Sequence, residues 1–231
     1  MLAAALRTSL VRGRGTQGTR GTKGPEATWS QLPSLKSFAS LPESKADGFI
    51  PLHGGYQNLL SYQKALVAYD ATVYFCGRFF GRFDCTREQM IQAARSGKQN
   101  ILEGSQASGT SKETELKLTS VARASQQELL EDYRDFMRGR GIAEWTLDHP
   151  YARHLRQLNR TRGANYRTFQ KGIEHPDPAI CANVIAGLIE VTCYLLDQQI
   201  RRLEQDFLEQ GGLRERMTRA RLAARSRPNP G

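Results

Sequence analysis

The sequence predicts an all-α protein, and three observations carry that prediction. Apolar residues recur at spacings of three, four and seven through four long segments. Turns rich in Gly and small polar residues separate those segments, and no period of two is sustained long enough to make a strand. The chain has 231 residues, 39% of them hydrophobic, which suits one domain of modest core with tails.

Residues 1–53 are rich in Gly, Ser, Thr and Pro and show no periodicity. They open "MLAAALRTSLVRGRGTQGTRGTKG", with five basic residues and no acid. The stretch reads as a disordered basic arm; its Arg-rich, acid-poor start also fits an organelle transit peptide.

The first helix is expected from about Tyr56 to Phe80. Its core stripe is Leu59, Tyr62, Leu66, Tyr69, Val73 and Phe80, widened by Leu60, Val67, Tyr74 and Phe75. Gly81 ends it. The second helix starts at Thr86 with the capping box "TREQ" and runs to about Glu103. Its inner face is small: Ala93, Ala94, Gly97, Ile101 and Gly104. Gly97 costs about 1 kcal/mol against Ala in a helix interior, so a close neighbouring helix is expected to offset it.

A second capping box, "TSKE" at Thr110–Glu113, starts the third helix, and Gly139 and Gly141 close it. Its buried stripe is Leu118, Val121, Ala122, Ser125, Leu129, Tyr133 and Phe136. The short turn makes the second and third helices antiparallel. Folding about residue 108 sets Ala94 near Ala122 and Gly97 near Thr119. Residues 142–177 form a long connection with one short helix after Pro150. The last helix is capped by Asp177, has Pro178 in its first turn and runs to about Glu209. Beyond Gly211 and Gly212 lies a basic tail, 211–231, or a frayed helix. No run approaches the ~20 apolar residues of a membrane helix.

The net charge of +10 is concentrated in three places. Residues 1–24 carry +5; residues 150–172 carry six basic residues and no acid; residues 211–231 carry six Arg against Glu215. Such patches suit a phosphate backbone or an acidic partner. Candidate nucleic-acid contacts are Arg153, Arg156, Arg160, Arg162, Arg167 and Lys171, with Tyr151, Tyr166 and Phe169 available to stack on unpaired bases. In the tail the candidates are Arg214, Arg216, Arg219 and Arg221.

Cys76, Cys85, Cys181 and Cys193 form no metal-spaced pair and read as small buried hydrophobes in a reducing compartment. The four histidines lie near Gly and Pro in expected loops, so no metal site and no cofactor are expected. Glu128, Glu131, Asp132 and Asp135 read as a solvated acidic face or as ion pairs with Arg134 and Arg138, and no residue set has the pattern of an active site.

The segment "MIQAARSGKQNILEGSQASGTSKETELKLTSVARASQQELLEDY", Met90–Tyr133, resembles the four-helix bundle family of 23S rRNA intervening-sequence proteins. The shared marks are Asn100, Ile101, Glu103 and Gly104, then Ala122, Arg123, Ser125 and Glu128; Ala124 stands where that family has Gly. Trp145 through "QGGLRERMTRAR" is similar to the C-terminal suffix extension of a bacterial subset. The resemblance spans about residues 54–225, with the bundle over 54–210. It implies an up-down-up-down bundle, self-association, often as a pentamer, and a bacterial cytoplasmic setting. One relative is a basic accessory protein that works with a reverse transcriptase and RNA.

Asn100, Glu103 and Gly104 share one helix face. The expectation is a structural clamp: Gly104 ends the helix in a left-handed cap, and Asn100 and Glu103 bond the amides of the next turn. The function expected is non-catalytic: an oligomer that associates with RNA or DNA, or alternatively a scaffold whose basic tails meet an acidic protein partner.

Overall fold

The computed structural model describes residues 55–226. The basic arm expected over 1–53, and residues 227–231 of the tail, lie outside the described residues. Within them, a 3-10 turn at Tyr56–Asn58 leads into α1 (Leu60–Phe79), α2 (Cys85–Ala107) and α3 (Lys112–Gly139). Then follow α4 (Pro150–Arg160), α5 (Tyr166–Ile173), α6 (Pro178–Gln210) and α7 (Leu213–Arg225). The described residues are all-helical, with no strand.

The four long helices pack in a closed cycle: α1 on α2, α2 on α3, α3 on α6, and α6 on α1. The short helices α4 and α5 lean on α6, and α5 also touches α1. The long connection therefore holds two helices where the sequence pointed to one.

Caps explain where the helices begin. Asp177 accepts from the Ala179 amide at 2.8 Å with Pro178 in the first turn, as expected. The other two caps differ. Asp84, not Thr86, caps α2 by accepting from the Thr86 amide at 2.9 Å, because a carboxylate is the better acceptor at the positive end of a helix. Ser111, not Thr110, caps α3 by accepting from the Thr114 amide at 3.1 Å.

The core of α1 is rotated from the expected stripe. Leu66 and Val73 are 37% and 42% exposed, whereas Ala65, Ala68, Ala71 and Cys76 are buried alongside Val67 and Phe75, which the widened stripe included. This helix is wedged between α2 and α6, and small side chains let both neighbours approach; the bulkier stripe is left at the flank. Phe75 then anchors an aromatic cluster with Tyr133 at 4.9 Å and Phe136 at 4.7 Å. The Tyr133 hydroxyl donates to Thr72 Oγ1 at 3.2 Å, and Thr72 donates on to the Ala68 carbonyl.

The inner face of α2 is buried as expected, from Ala93 through Gly104. Its register against α3 is not as expected. Gly97 meets Gln126 rather than Thr119, and Gly104 faces Glu115, Leu118 and Thr119. The shift arises because α2 continues to Ala107, which moves the fold-back point toward residue 111.

The helical stretch Pro178–Arg225 contains a segment long and apolar enough, by composition, to cross a membrane, contrary to expectation. Glu190 is the one charged residue within 180–196. Of that segment 61% is buried inside the protein, as in the central helix of a folded domain.

Candidate functional site

The connection after α3 is shaped by three devices. Gly141 takes φ 64°, and the amides of Gly141 and Ile142 bond back to Arg138 and Met137, closing α3 in a Schellman turn. Asn183 of α6, buried, then pins the chain: it accepts from the Trp145 amide at 2.8 Å and donates to the Ala143 carbonyl at 3.1 Å. This fixes where the Trp145 side chain starts. Third, Leu155 is the one buried residue of α4, and it fills a notch at Gly187 of α6, where an added Cβ would lie 2.6 Å from Leu155 Cδ2.

Helix α5 docks by the same logic. Asn165 caps it by accepting from the Arg167 amide at 3.0 Å, and Thr168 Oγ1 accepts from the Asn165 amide. Gly172 lets it approach Val184, whose Cγ2 would be 2.9 Å from an added Cβ. The Cys181 thiol donates to the Ile173 carbonyl at 2.7 Å.

Between α4, α5 and α6 lies a groove of about 450 Å³. Leu155, Phe169 and Val184 contribute apolar lining, and Trp145 and Tyr151 add aromatic surface. Its remaining polar lining is Arg167, Lys171, His154, His175 and the neutral Thr168, with no carboxylate among the lining residues. His149 stacks on Trp145 with centroids 4.9 Å apart and planes 9° off parallel, and Tyr151 packs 5.4 Å from the same indole. On the other side of α4 a second groove of about 390 Å³ holds Arg156 beside Glu144 and Glu190, so its charge is mixed.

The nominated residues divide among several surfaces. Arg167 and Lys171 meet in the first groove. Arg153, Arg156 and Arg160 follow spacings of three and four along α4, opposite Leu155 and Leu158. Arg153 reaches Asp148 at 3.5 Å, and Arg156 Nη2 donates to the Leu147 carbonyl. Arg160 and Arg162 are exposed and have no ion-pair partner among the described residues. On α7, Arg214 and Arg221 are seven residues apart and share a face, while Arg216 and Arg219 fall on another.

Two aromatic nominations are corrected. Phe169 is 2% exposed and belongs to the core, so it offers no face to a base. Tyr166 is half-buried and its hydroxyl donates to Glu174 at 3.0 Å; burial first, then that carboxylate, pushes the phenol well above its ordinary value. Both sit on the inward side of a short helix that must bury something to stay folded. Tyr151 is 54% exposed and remains available.

The clamp is corrected as well. Gly104 lies inside α2 and is not among the glycines at positive φ. Glu103 is exposed, and Asn100 turns back along its own helix, donating to the Ser96 carbonyl at 2.9 Å and to Ser96 Oγ at 3.2 Å. Ser96 Oγ in turn lies 3.0 Å from Ser125 Oγ across the α2–α3 contact. Gly97, Asn100, Ala122 and Ser125 thus act at one helix contact, and Glu128 is exposed beside it. Arg123, carried by the same motif, donates from Nε to Asp197 of α6 at 2.9 Å.

Burial pushes the Cys76 and Cys181 thiols up to about 12 and Cys193 to about 11, which leaves them protonated and unreactive. Cys85, expected inside, is exposed at the start of α2. Among the described residues no three His, Cys, Asp or Glu gather as metal ligands.

Sequence reasoning missed Trp145, His149, His154, His175 and Asn183 as site residues. The spacing Trp145, His149, Tyr151 was a usable signal, since it puts three rings around one turn. Asn183, a polar residue inside the apolar run of α6, was another. No protein-family model, curated protein or solved structure matches the chain.

Proposed function

We propose that this chain is a non-catalytic nucleic-acid-associated protein whose arginine-bearing connection meets a phosphate backbone. The observation that supports the reading is the acid-free stretch 150–172, in which Arg160, Arg162, Arg167 and Lys171 have no ion pair among the described residues. Cations without local carboxylates keep their attraction for an external polyanion. The four long helices serve as the carrier, an antiparallel up-down-up-down bundle; their closed cycle of contacts and the Gly97–Gln126 and Gly104–Thr119 pairs, which run in opposite directions along α2 and α3, support that arrangement. The resemblance to the intervening-sequence family adds self-association, with five subunits, and a bacterial cytoplasmic setting to the proposal. An accessory role beside a reverse transcriptase belongs to the same reading.

The test is the salt dependence of binding to a fluorescent single-stranded RNA and to duplex DNA. Affinity is expected to fall about linearly on a log–log plot, with a slope near −0.7 per phosphate neutralised on a single strand. Absence of binding at low salt, or an affinity flat in salt, overturns the reading. A nuclease-resistant complex with an acidic protein would instead support the scaffold alternative, which the +5 of residues 211–231 favours.

A further inference from the structure

We infer that the groove between α4, α5 and α6 seats one nucleoside monophosphate unit, as a free nucleotide or as an unpaired residue of a strand. The inference deepens the nucleic-acid reading and rests on it for the strand form. Its volume, about 450 Å³, lies within the roughly 300–1,000 Å³ of small-molecule sites. Two chemistries meet in it. Leu155, Val184 and the aromatic surfaces of Trp145 and Tyr151 suit a planar, weakly solvated ring. Arg167 and Lys171, one turn apart on α5, suit a phosphate, and no lining carboxylate competes for them. A purely apolar ligand leaves both cations unused, and a bare phosphate leaves the aromatic surface unused; a nucleotide engages both.

The site is also built rather than incidental. Trp145 is tied at its amide to buried Asn183 and backed by His149 at 4.9 Å, so its indole is held before anything binds. Gly187 and Gly172 bring the two short helices close enough to α6 to close the groove's sides. The neighbouring groove, which shares Trp145 and Leu155, carries Glu144 and Glu190 beside Arg156, so it lacks the acid-free lining of the first.

The chain has two tryptophans, so Trp29→Phe leaves Trp145 as the sole indole reporter. That full-length protein is titrated with adenosine 5′-monophosphate, adenosine, inorganic phosphate and oligo(rA). The monophosphate is expected to quench Trp145 saturably, at least ten-fold more tightly than adenosine, with no quenching by phosphate. Arg167→Ala with Lys171→Ala, both at exposed positions, is expected to weaken the monophosphate at least ten-fold while leaving the melting curve in place. Monophosphate and adenosine binding alike, or a double variant that binds as before, overturns the inference. If oligo(rA) binds with steep salt dependence and the monophosphate does not quench, the groove is not the seat and the broader reading stands. If the monophosphate quenches and no strand binds, the groove stands as a free-nucleotide site and the broader reading falls. Failure of both removes both.

Discussion

Gly97 of α2 and Gln126 of α3 compete for one space: a Cβ added at Gly97 would fall well inside contact distance of the Gln126 amide nitrogen, with Cγ and Cδ at 3.0 Å. Gln126 is fully buried, and neither its Nε2 nor its Oε1 has a protein partner. Gly97→Ala is therefore expected to destabilise by about 1–3 kcal/mol, the overpacking exceeding the ~1 kcal/mol gained by removing a helical glycine. Gly104→Ala meets only ordinary contacts, at 3.4 Å or more, and is expected to be neutral or to stabilise by up to ~1 kcal/mol. Gln126→Met removes two unpaired buried amide atoms and is expected to stabilise by about 1–3 kcal/mol. Urea unfolding of the three variants checks the set; equal effects of the two glycine changes would contradict the packing described.

Lys64 is 5% exposed, its ammonium has no hydrogen-bond partner, and it sits 4.9 Å from the Phe169 ring centroid. Burial lowers its pKa. The folded state thus binds this proton less readily than the unfolded chain, and stability should rise with pH up to the ordinary lysine value. Lys64→Met is expected to raise the melting temperature and to remove that alkaline rise. A lower melting temperature would mean that the cation–π contact outweighs desolvation.

Asp132 is pushed up to about 6, first by burial and then by Glu128 and Asp135. A carboxyl whose folded pKa lies above its unfolded value favours folding while protonated. That contribution is lost as pH rises from about 4 through 6. Asp132→Asn is expected to stabilise by about 1 kcal/mol at pH 7.5, after allowance for solvent screening, and by much less at pH 4. Thermal melts at the two pH values decide it; a gain of equal size at both would remove the electrostatic cause.

The one buried side chain of α4, Leu155, sits in one notch of α6, with Leu158 packed beside it. Gly187→Val is expected to displace Leu155 and release α4 from α6 while the four long helices keep their packing. Limited proteolysis should then cut within 146–162, and Trp145 emission should shift red, with a change in global melting below ~2 kcal/mol. A proportional loss of global stability would show that α4 is integral to the core.

Arg160→Ala and Arg162→Ala are each expected to lower the salt slope of strand binding by about one unit if the arginine meets a phosphate. Glu103→Ala, at an exposed carboxylate, is expected to change neither binding slope nor stability beyond ~0.5 kcal/mol. Slopes measured by fluorescence anisotropy across a salt series test these values.

The helical class, the cap at Asp177 and the small inner face of α2 were legible in the sequence because local chemistry decides them. The first two depend on residues within a turn of each other; the third depends on Gly97, a residue too costly to keep in a helix without a close neighbour. The rotation of α1 was not legible. Counting apolar size chose Leu66 and Val73, whereas the cleft between α2 and α6 selects alanines, and only the neighbours reveal its width. The α2–α3 register failed for one reason, the extra turn of α2 past Gly104. The groove was half legible: Arg167 and Lys171 are apparent from charge, but Trp145 and His175 reach it from opposite ends of a connection whose path Asn183 sets.

The glycine notch under Leu155 has a consequence for how this surface can change. The four-helix frame meets α4 through Leu155, seated at Gly187, with Leu158 packed beside it, so substitutions at the solvent-facing positions of α4 leave the frame's fold untouched. The solvent-facing positions of residues 150–162 are for that reason suited to serve as a graftable cassette, open to diversification as an antibody loop is, on a carrier that stays constant.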